Sequence, residues 1–394
     1  MSTNRPRCPI CTGLMKKNGY TQAGTQRWRC TQGCRGSSVR NSQQASKDAA
    51  TFRLFYTWIT TGRSLNSLAQ EHNTTRQTLH ARMKWCWLIQ PNVEIDHNRV
   101  YDQLFIDGTY LNKQCLLIAA SLDHVVAWLW CDKESTTNYI KLISQLQPPL
   151  IITLDGGTGA LSAIKKCWPT SHIQRCTVHV QRHIRRQTTS RPRTEAGKAI
   201  YALALSLTKV ETPDDAYQWT TNLLATHEFY KPTLAKKTFY KRGQHPSGKT
   251  WDWTHKRDRT AMNSLNNLNS KKWLFTWIEP PEGFIGTPKS TTNSLEGGIN
   301  SPLKLLARNH RGMSKEHQRT AIDWWLASKT QLPAEPVKTA RQQRWGKDAL
   351  AKVNALLEAE SPTPPEIGGP SGYDTAIDTT YQHSMGIQKG WLGR

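Results

Sequence analysis

Three features are missing from this sequence, and each absence argues against a class of protein. No run of about 18 apolar residues is present, so no segment predicts a membrane-spanning helix. The first residues, MSTNRPRCPICTG, contain no apolar stretch of the signal-peptide type. Nine cysteines is an odd number, and their uneven spread argues against a framework of disulfides. We therefore expect a protein of a reducing cytosol.

Acidic residues are scarce relative to basic ones. The chain has 29 Asp and Glu against 53 Lys and Arg, a formal net charge of +24. This excess indicates a polyanionic partner, with nucleic acid as the first candidate and a membrane surface as a weaker one. With 394 residues, of which 37% are hydrophobic, the chain can form two or three domains of about 100–200 residues each.

Four cysteines fall within the first 34 residues, as CPIC and CTQGC. These are Cys8, Cys11, Cys30 and Cys34, and two close pairs at this separation predict a zinc ribbon with one structural Zn²⁺ held by four thiolates. Asn18-Gly19 predicts a hairpin turn between the pairs. So short a segment has no core of its own, so the metal would supply its folding energy. The alternative is four unrelated thiols, and the three-residue gap in the second pair departs slightly from the pattern.

Residues 45–88 predict helices, and part of this stretch resembles a helix-turn-helix. A short helix with Leu65 and Leu68 inward is followed by a turn at His72-Asn73 and a second helix capped by Thr74 or Thr75. In the DNA-binding interpretation the second helix enters a major groove. Its predicted contacts are Arg76, Gln77 and His80 to base edges, and Arg82 and Lys84 to phosphates. The alternative is an ordinary helical hairpin.

From residue 100 the order is three strands, helix, strand, helix, strand, helix, which is the order of an α/β RNase H-like core. The first strand, in DQLFIDGTYL, has Asp107 at the end of its apolar run, and the fourth, in ITLDGG, stops at Asp155. In that fold these two strands are neighbours, so the carboxylates would meet at one sheet edge. Mg²⁺ prefers oxygen ligands, and two ions about 3.5–4 Å apart support phosphoryl transfer.

Simpler interpretations of the strand-end residues remain open. Asp155 could be a turn former, while Asp102, Asp123 and Asp132 are treated as structural. In the catalytic interpretation the glycines after Asp155 would let a DNA backbone approach closely.

A third carboxylate is expected from a helix under the sheet edge. The candidate is Glu296 in TTNSLEGGINSPLK, followed at intervals of four by Asn300, Lys304 and Arg308, which would share one helical face. Those three residues and Arg311 are predicted to contact DNA. Gly297-Gly298 and Pro302 predict a kink, a late start or a break in this helix.

Together these motifs resemble DDE transposases of bacterial insertion sequences, of the Mutator-like type with a C-x-x-H signature. The matching segments are FIDGTY, ITLDGG, RCTVHVQRHI with Cys176 and His179, and TTNSLEGGINSPLK with a trailing RNHRGM. The resemblance covers residues 1 to about 330 and includes a zinc ribbon and helix-turn-helix at the front. It implies a catalytic core interrupted by a helical insertion, with Asp107, Asp155 and Glu296 binding two Mg²⁺ ions, for which Mn²⁺ can substitute.

The resemblance also implies an activity and partners. Such an enzyme binds terminal inverted repeats in double-stranded DNA, frees a 3′-OH by water attack, and joins it to target DNA. Cleavage of two ends together implies a homodimer or larger oligomer on DNA, in the bacterial cytoplasm and associated with the nucleoid. The competing interpretations are a non-catalytic DNA-binding regulator, for which no Gly-rich nucleotide loop is found, and an RNase H-like nuclease without strand transfer.

Cys176 and His179 have three interpretations. They could be a packed thiol and a hydrogen-bonded imidazole, or part of a zinc site with Cys167 as the only spare thiol nearby, or a pair that positions the DNA or the acids. We favour the positioning role. The helix that follows carries Arg182, Arg185 and Arg186, predicted either as a DNA track or as a solvated face.

The expected domain organisation is multidomain. The predicted ranges are 1–40 for the zinc ribbon, 41–95 for the helix-turn-helix domain, 96–186 for the first part of the core, 187–285 for a mainly helical insertion, 286–332 for the core helix with the third acid, and 333–394 for a C-terminal helix and flexible tail.

Overall fold

The structure is a computed structural model that describes residues 5–8, 11–22, 24–34, 37–38, 40–241, 245 and 247–360. The tail after residue 360, predicted to be weakly structured, lies outside the described residues. None of the helices described has the length and apolar character needed to cross a bilayer.

The N-terminal region is a small antiparallel sheet. Its strands are β1 (Met15–Tyr20), β2 (Gln26–Cys30) and β3 (Ser37–Ser38). The prediction of a hairpin turn at Asn18-Gly19 is wrong. Gly19, at φ +71°, lies inside β1 where the register shifts, and the chain turns at residues 21–25 instead. The Asn-Gly pair therefore forms an irregularity within the strand, where glycine tolerates the positive φ.

Three helices and a 3₁₀ turn follow. They are α1 (Arg40–Thr61), α2 (Leu65–Glu71), α3 (Arg76–Met83) and the 3₁₀ turn Lys84–Leu88. The hydroxyl of Ser64 caps α2 by accepting from Ser67 N at 3.0 Å. Thr75, one of the two predicted caps, caps α3 by accepting from Thr78 N at 3.1 Å. The short helix, turn and second helix thus lie where the sequence predicted them.

The centre of the chain forms a five-stranded mixed sheet. Its strands are β4 (Gln103–Leu111), β5 (Gln114–Ala120), β6 (Val125–Cys131), β7 (Ile151–Leu154) and β8 (His172–Arg175). Their spatial order is β6-β5-β4-β7-β8. The first three strands pair antiparallel, whereas β7 pairs parallel with β4 and β8 with β7. The first and fourth strands of the sheet are therefore neighbours.

Helices α4 (Thr136–Ile143) and α5 (Thr158–Cys167) lie between these strands in sequence. The segment after β8 is mainly helical. It contains α6 (Thr177–Thr188), α7 (Glu195–Leu207), α8 (Pro213–Leu234), a hairpin of β9 (Lys237–Phe239) and β10 (Trp251–Trp253), and α9 (Lys256–Ser270). Helices α6 to α9 share one apolar cluster, which includes Ile184, Ile200, Leu223 and Leu265. The predicted insertion thus packs on α6, which directly follows the sheet.

The chain then returns to the sheet. It forms α10 (Asn293–Leu295), a π-helical turn Glu296–Asn300, α11 (Ser301–Asn309) and α12 (Lys315–Ala327). The final described segment is α13 (Pro336–Gln342), a 3₁₀ turn Arg344–Gly346 and α14 (Lys347–Glu360). The sequence predicted one helix here. The positive φ of Arg344, Trp345 and Gly346 divides it into two.

The sheet is covered by helices on both faces. Side chains alternate along β4, so Leu104 and Ile106 pack with α4 and α5, whereas Phe105 packs with Leu295 of α10. Asp107 follows the same alternation and lies on the face of Phe105. The fold thus directs this carboxylate towards the helical segment that carries Glu296.

The N-terminal helices are not a separate unit. Phe52 and Phe55 of α1 belong to one apolar cluster with Trp324 of α12 and with Val337 and Ala340 of α13. The helix-turn-helix region, the last core helix and the C-terminal region therefore share a core, which the predicted domain ranges did not anticipate.

Candidate active site and metal centres

The parallel pairing of β4 and β7 places two carboxylates side by side. Ile106 pairs with Leu154 at the last register position, so Asp107 and Asp155 are the next residues on the two neighbouring chains. Burial raises the pKa of the Asp107 carboxyl to about 7, and the negative charge of Asp155 adds to the increase. The charge of Asp155 is therefore close enough to disfavour ionisation of Asp107.

The loop after β7 has a defined shape. Gly157 N donates to Asp155 Oδ1 at 2.8 Å, and the guanidinium of Arg175 donates to the backbone oxygen of Asp155 at 2.6 Å. Gly156 has a φ of +102°, and a Cβ there would overlap the guanidinium of Arg175. The expectation that open space over these glycines admits a DNA backbone is therefore not met at Gly156, because Arg175 fills that space.

Glu296 comes from a helix that Pro302 and the paired glycines did not break. Pro302 sits in the first turn of α11, and the preceding π turn takes up the missing hydrogen bond, with Ser301 N donating to Glu296 O. The extra residue in that turn shifts the following residues, so the predicted spacing of four no longer places them on one helical face. Asn300 is buried, while Lys304 and Arg308 are exposed, so these residues do not share one face.

The carboxylate of Glu296 is held by three side chains. His179 Nε2 lies 3.4 Å from Oε1, Arg182 donates to Oε2 at 3.2 Å, and the Thr292 hydroxyl donates to Oε1 at 3.3 Å. Among the three predicted acids, Glu296 is thus the one whose charge is matched by basic side chains.

Cys176 and His179 lie at the start of α6, beside Thr292. The amide and hydroxyl of Thr292 each donate to Cys176 Sγ at 3.4 Å. Burial opposes ionisation of the thiol, but hydrogen bonds from His179 and Thr292 outweigh it and lower the pKa of Cys176. The same contact with Cys176 raises the pKa of His179. Each group therefore favours the ionised form of the other, and the ring of His179 reaches Glu296.

One carboxylate in this region was not considered from the sequence. Glu134 lies between β6 and α4, where the Tyr139 hydroxyl donates to Oε2 at 3.0 Å. A Cβ on Gly108 would lie 2.5 Å from Glu134 Cδ, so the carboxyl passes directly over the residue after Asp107. Nothing in a single sequence distinguishes Glu134 from Asp132, which is exposed and bonds Asn138 at 3.3 Å.

The donor chemistry around Asp107 fits a hard cation. Asn300 Nδ2 donates to Asp107 Oδ2 at 2.6 Å, while its Oδ1 is buried with no hydrogen-bond partner. In the described part of the chain, no ion pair neutralises Asp107, Asp155 or Glu134. Carboxylate and amide oxygens are the ligands that Mg²⁺ prefers. Among the described residues, no three of these acidic groups have oxygens within 4.8 Å of one another. The carboxylates therefore lie in one region, but farther apart than ligands of a single ion.

The N-terminal cysteines form the second candidate metal centre. The Sγ atoms of Cys8, Cys11, Cys30 and Cys34 all lie within 4.8 Å of one another, with Cys8–Cys34 at 3.3 Å and Cys11–Cys30 at 3.4 Å. Four thiolates at a Zn–S distance of about 2.3 Å are about 3.8 Å apart in a tetrahedron. The arrangement can therefore hold a zinc ion. Cys176 and Cys167 do not belong to such a group in the described part of the chain.

One segment of the chain is similar to a known protein family. Residues 124–221 match the family model for transposases of the Mutator family. The match supports a Mutator-like transposase. The matched segment runs from the start of β6 into α8 and includes Asp155, Cys176 and His179, while Asp107 and Glu296 lie outside it. A search of curated proteins finds no match for the chain.

A transposase of this family handles DNA, so the placement of the predicted DNA contacts matters. On α3 and the 3₁₀ turn after it, every predicted contact is exposed: Arg76, Gln77, His80, Arg82 and Lys84. Arg182, Arg185 and Arg186 are exposed on α6 and line a surface cavity with His179. Lys304, Arg308 and Arg311 are exposed on and after α11. Asn300 is placed differently from the prediction, because it is buried against Asp107 instead of lying on the surface.

Proposed function

We propose that the chain is a DNA transposase that binds the terminal inverted repeats of an insertion sequence. It cleaves and transfers DNA strands with a Mg²⁺-dependent DDE site formed by Asp107, Asp155 and Glu296. The observation that carries this proposal is the pairing of β4 with β7, which makes Asp107 and Asp155 neighbours. The family match over residues 124–221 supports it, because Asp155 lies within the match.

In this proposal the chain's own residues hold the acids in place. Asn300 fixes Asp107 through its amide, and Arg175 fixes the loop of Asp155 through the backbone oxygen. Asp107, Asp155 and Glu296 would hold Mg²⁺, with Mn²⁺ as a substitute. When bound, the ions activate the attacking water or 3′ hydroxyl and stabilise the leaving oxygen.

Cys176 and His179 act as positioning residues in the same proposal. The contact with Cys176 raises the pKa of His179 and so favours the charged form of its ring, which in this role directs the carboxylate of Glu296 towards the sheet edge. Cys176 contributes through His179 and Thr292, since its buried sulfur has no route to solvent.

The exposed basic residues of α3 and α6 give the DNA-binding role. We assign α3 to the inverted repeat and the cavity beside His179 to the strand that is cut, since Arg182 connects that cavity to Glu296. The zinc ribbon, with one structural Zn²⁺, would extend the DNA-binding surface. Two DNA ends must be cut together, which implies a dimer or larger oligomer on DNA.

The test uses purified full-length protein, Mg²⁺ and a labelled fragment that carries one end of the element. Asp155→Asn should reduce strand cleavage at least about a hundredfold, because the charge stabilisation from a catalytic metal ion is worth several kcal/mol. Asp123→Asn is the matched control, since Asp123 is an exposed carboxylate of the same sheet region.

Two outcomes would favour the competing functions. Binding to the fragment with no cleavage in Mg²⁺ or Mn²⁺ would contradict the enzyme and favour a DNA-binding regulator. Cleavage that never joins the 3′ end to a target would favour a nuclease without strand transfer.

A further inference from the structure

We propose that Glu134 is a fourth carboxylate of the metal-binding site around Asp107 and Asp155. The inference rests on the proposed function and adds a residue that the three-acid pattern does not contain. It assigns Glu134 to the ligation of a divalent cation by oxygen.

The position of Glu134 is set by two elements of the core. The residue follows β6 and directly precedes Ser135, whose hydroxyl caps α4 by accepting from Asn138 N at 3.3 Å. The strand and the capped helix fix the backbone on both sides. The carboxylate is therefore held at a defined place and does not lie on a mobile loop.

Glu134 lies beside glycines that follow both strand-end acids, and at Gly108 it needs the space that a side chain would take. A Cβ on Gly108, the residue after Asp107, would lie 2.5 Å from Glu134 Cδ and 2.7 Å from Oε1. A Cβ on Gly157, in the loop after β7, would lie 3.5 Å from Asp155 Oδ1 and 4.0 Å from Glu134 Oε2. The carboxylate thus occupies space that a side chain at Gly108 would fill, and it shares the surroundings of Gly157 with Asp155.

The carboxylates at this edge lack a direct ion-pair partner among the described residues, although the charge of the buried Arg175 guanidinium acts on Asp155 through space. Glu296 has His179 and Arg182 as cationic partners, but in the described residues Asp107, Asp155 and Glu134 form no ion pair. Half-buried carboxylates in a chain of net charge +24 would find a basic partner readily. Buried charges are otherwise paired or coordinate metals.

An independent observation supports an oxygen site for a cation here. Asn300 is only 5% exposed, and its Oδ1 has no hydrogen-bond partner, although the same amide donates to Asp107 Oδ2 at 2.6 Å. A buried, unpartnered acceptor is rare in native proteins. An oxygen acceptor beside unpaired carboxylates is satisfied by a hard cation, which takes carboxylate and amide oxygens together.

The rival explanation is structural. Glu134 would then serve only to accept the hydrogen bond from Tyr139, a buried residue of α4. The two explanations differ for Tyr139→Phe, which removes that bond and leaves the carboxylate. They also differ for Glu134→Gln, which keeps an acceptor oxygen for Tyr139 and removes the negative charge.

The experiment measures Mn²⁺ binding to the full-length, zinc-saturated protein without DNA, by the loss of the free-ion electron paramagnetic resonance signal. Glu134→Gln should weaken Mn²⁺ binding at least about tenfold, as loss of groups that support a metal site does. Asp132→Asn is the matched control, because it removes the same charge two residues away at an exposed position and should leave affinity unchanged. Tyr139→Phe should change the affinity by less than about threefold, since it leaves all the carboxylates in place.

Asp107→Asn and Asp155→Asn separate this inference from the proposed function. If they weaken Mn²⁺ binding and Glu134→Gln does not, Glu134 is not a ligand and the three-acid site stands. If neither weakens binding, the proposed metal site itself is wrong and Glu134 has no place in it. An equal loss of affinity in Tyr139→Phe and Glu134→Gln would establish the structural explanation.

The melting temperature without Mn²⁺ guards against misfolding. Glu134→Gln should melt at the same temperature as the unchanged protein or higher, because it relieves repulsion from Asp155. Glu134→Asp keeps the charge on a shorter side chain and should retain part of the Mn²⁺ affinity. Weak binding in Glu134→Gln together with a lowered melting temperature, and no Mn²⁺ affinity retained in a stably folded Glu134→Asp, would overturn the assignment.

Discussion

The two candidate metal centres of this chain are built in opposite ways. The thiol centre takes its groups from Cys8 to Cys34, a stretch in whose described residues Met15 is the one buried side chain besides cysteines. The carboxylate centre takes its groups from β4, the loop after β7 and the π turn, which are brought together by sheet pairing and two covering layers of helices. The first centre must depend on its metal for shape, whereas the second is shaped by the hydrophobic core.

The largest expected effect breaks the thiol centre alone. Cys30→Ser should remove zinc and unfold residues 11–34, because structural zinc binding contributes about 10–16 kcal/mol to folding of such small units. The five-stranded central sheet should be unaffected. Hydrogen exchange should show loss of protection in β1 and β2 with none in β4 or β7.

The control for this change is Cys167→Ser, a partly buried thiol outside the cluster. It should leave the zinc content unchanged. Loss of protection in β4 together with β1 would show that the two centres fold as one unit and are not stabilised independently.

The converse change weakens the hydrophobic core next to the carboxylate centre. Leu154 is fully buried directly before Asp155, so Leu154→Ala should lower the free energy of unfolding by about 2–5 kcal/mol. Urea denaturation followed by tryptophan fluorescence measures this. The zinc content should stay at one ion per chain, and a loss of zinc would contradict the independence of the two centres.

A smaller effect is expected at the loop after β7. Gly156→Ala should lower the free energy of unfolding by about 1–3 kcal/mol, since φ is +102° and a Cβ would displace Arg175. Gly157→Ala is the matched neighbour, with φ at −53° and ordinary clearance of 3.5 Å, and should change stability by less than about 1 kcal/mol. Equal losses in the two variants would show that the contact with Arg175 does not stabilise the loop.

The same contrast explains what could be predicted from the sequence. The cysteine spacing and the alternation of strands and helices are local patterns, and the four sulfurs and the order of elements in the sheet were predicted from them. The position of Glu134 over Gly108, and of Arg175 over Gly156, depends on contacts between distant segments that no periodicity records. The π turn arises from Pro302 within a helix held by tertiary packing. The sequence therefore predicted that this helix is irregular, but not that the irregularity is a π turn.

The smallest predicted effect concerns how Glu296 is held. The hydroxyl of Thr292 is fully buried within hydrogen-bond distance of Cys176 Sγ and Glu296 Oε1, and its single proton is donated to one of them at a time, so Thr292→Val removes one hydrogen bond with little change in volume. Such a bond contributes about 1 kcal/mol, which predicts a fall in cleavage rate of about fivefold at saturating DNA. DNA affinity should be unchanged, since Thr292 is not on the surface. Thr292→Ser keeps the hydroxyl and should retain most of the rate, whereas a valine variant as fast as the unchanged protein would show that the hydroxyl does not hold Glu296. The contact between Thr292 and Glu296 shows the difference between the two centres most clearly. Protein side chains fix the third acid of the carboxylate centre, whereas the thiol centre depends on its metal.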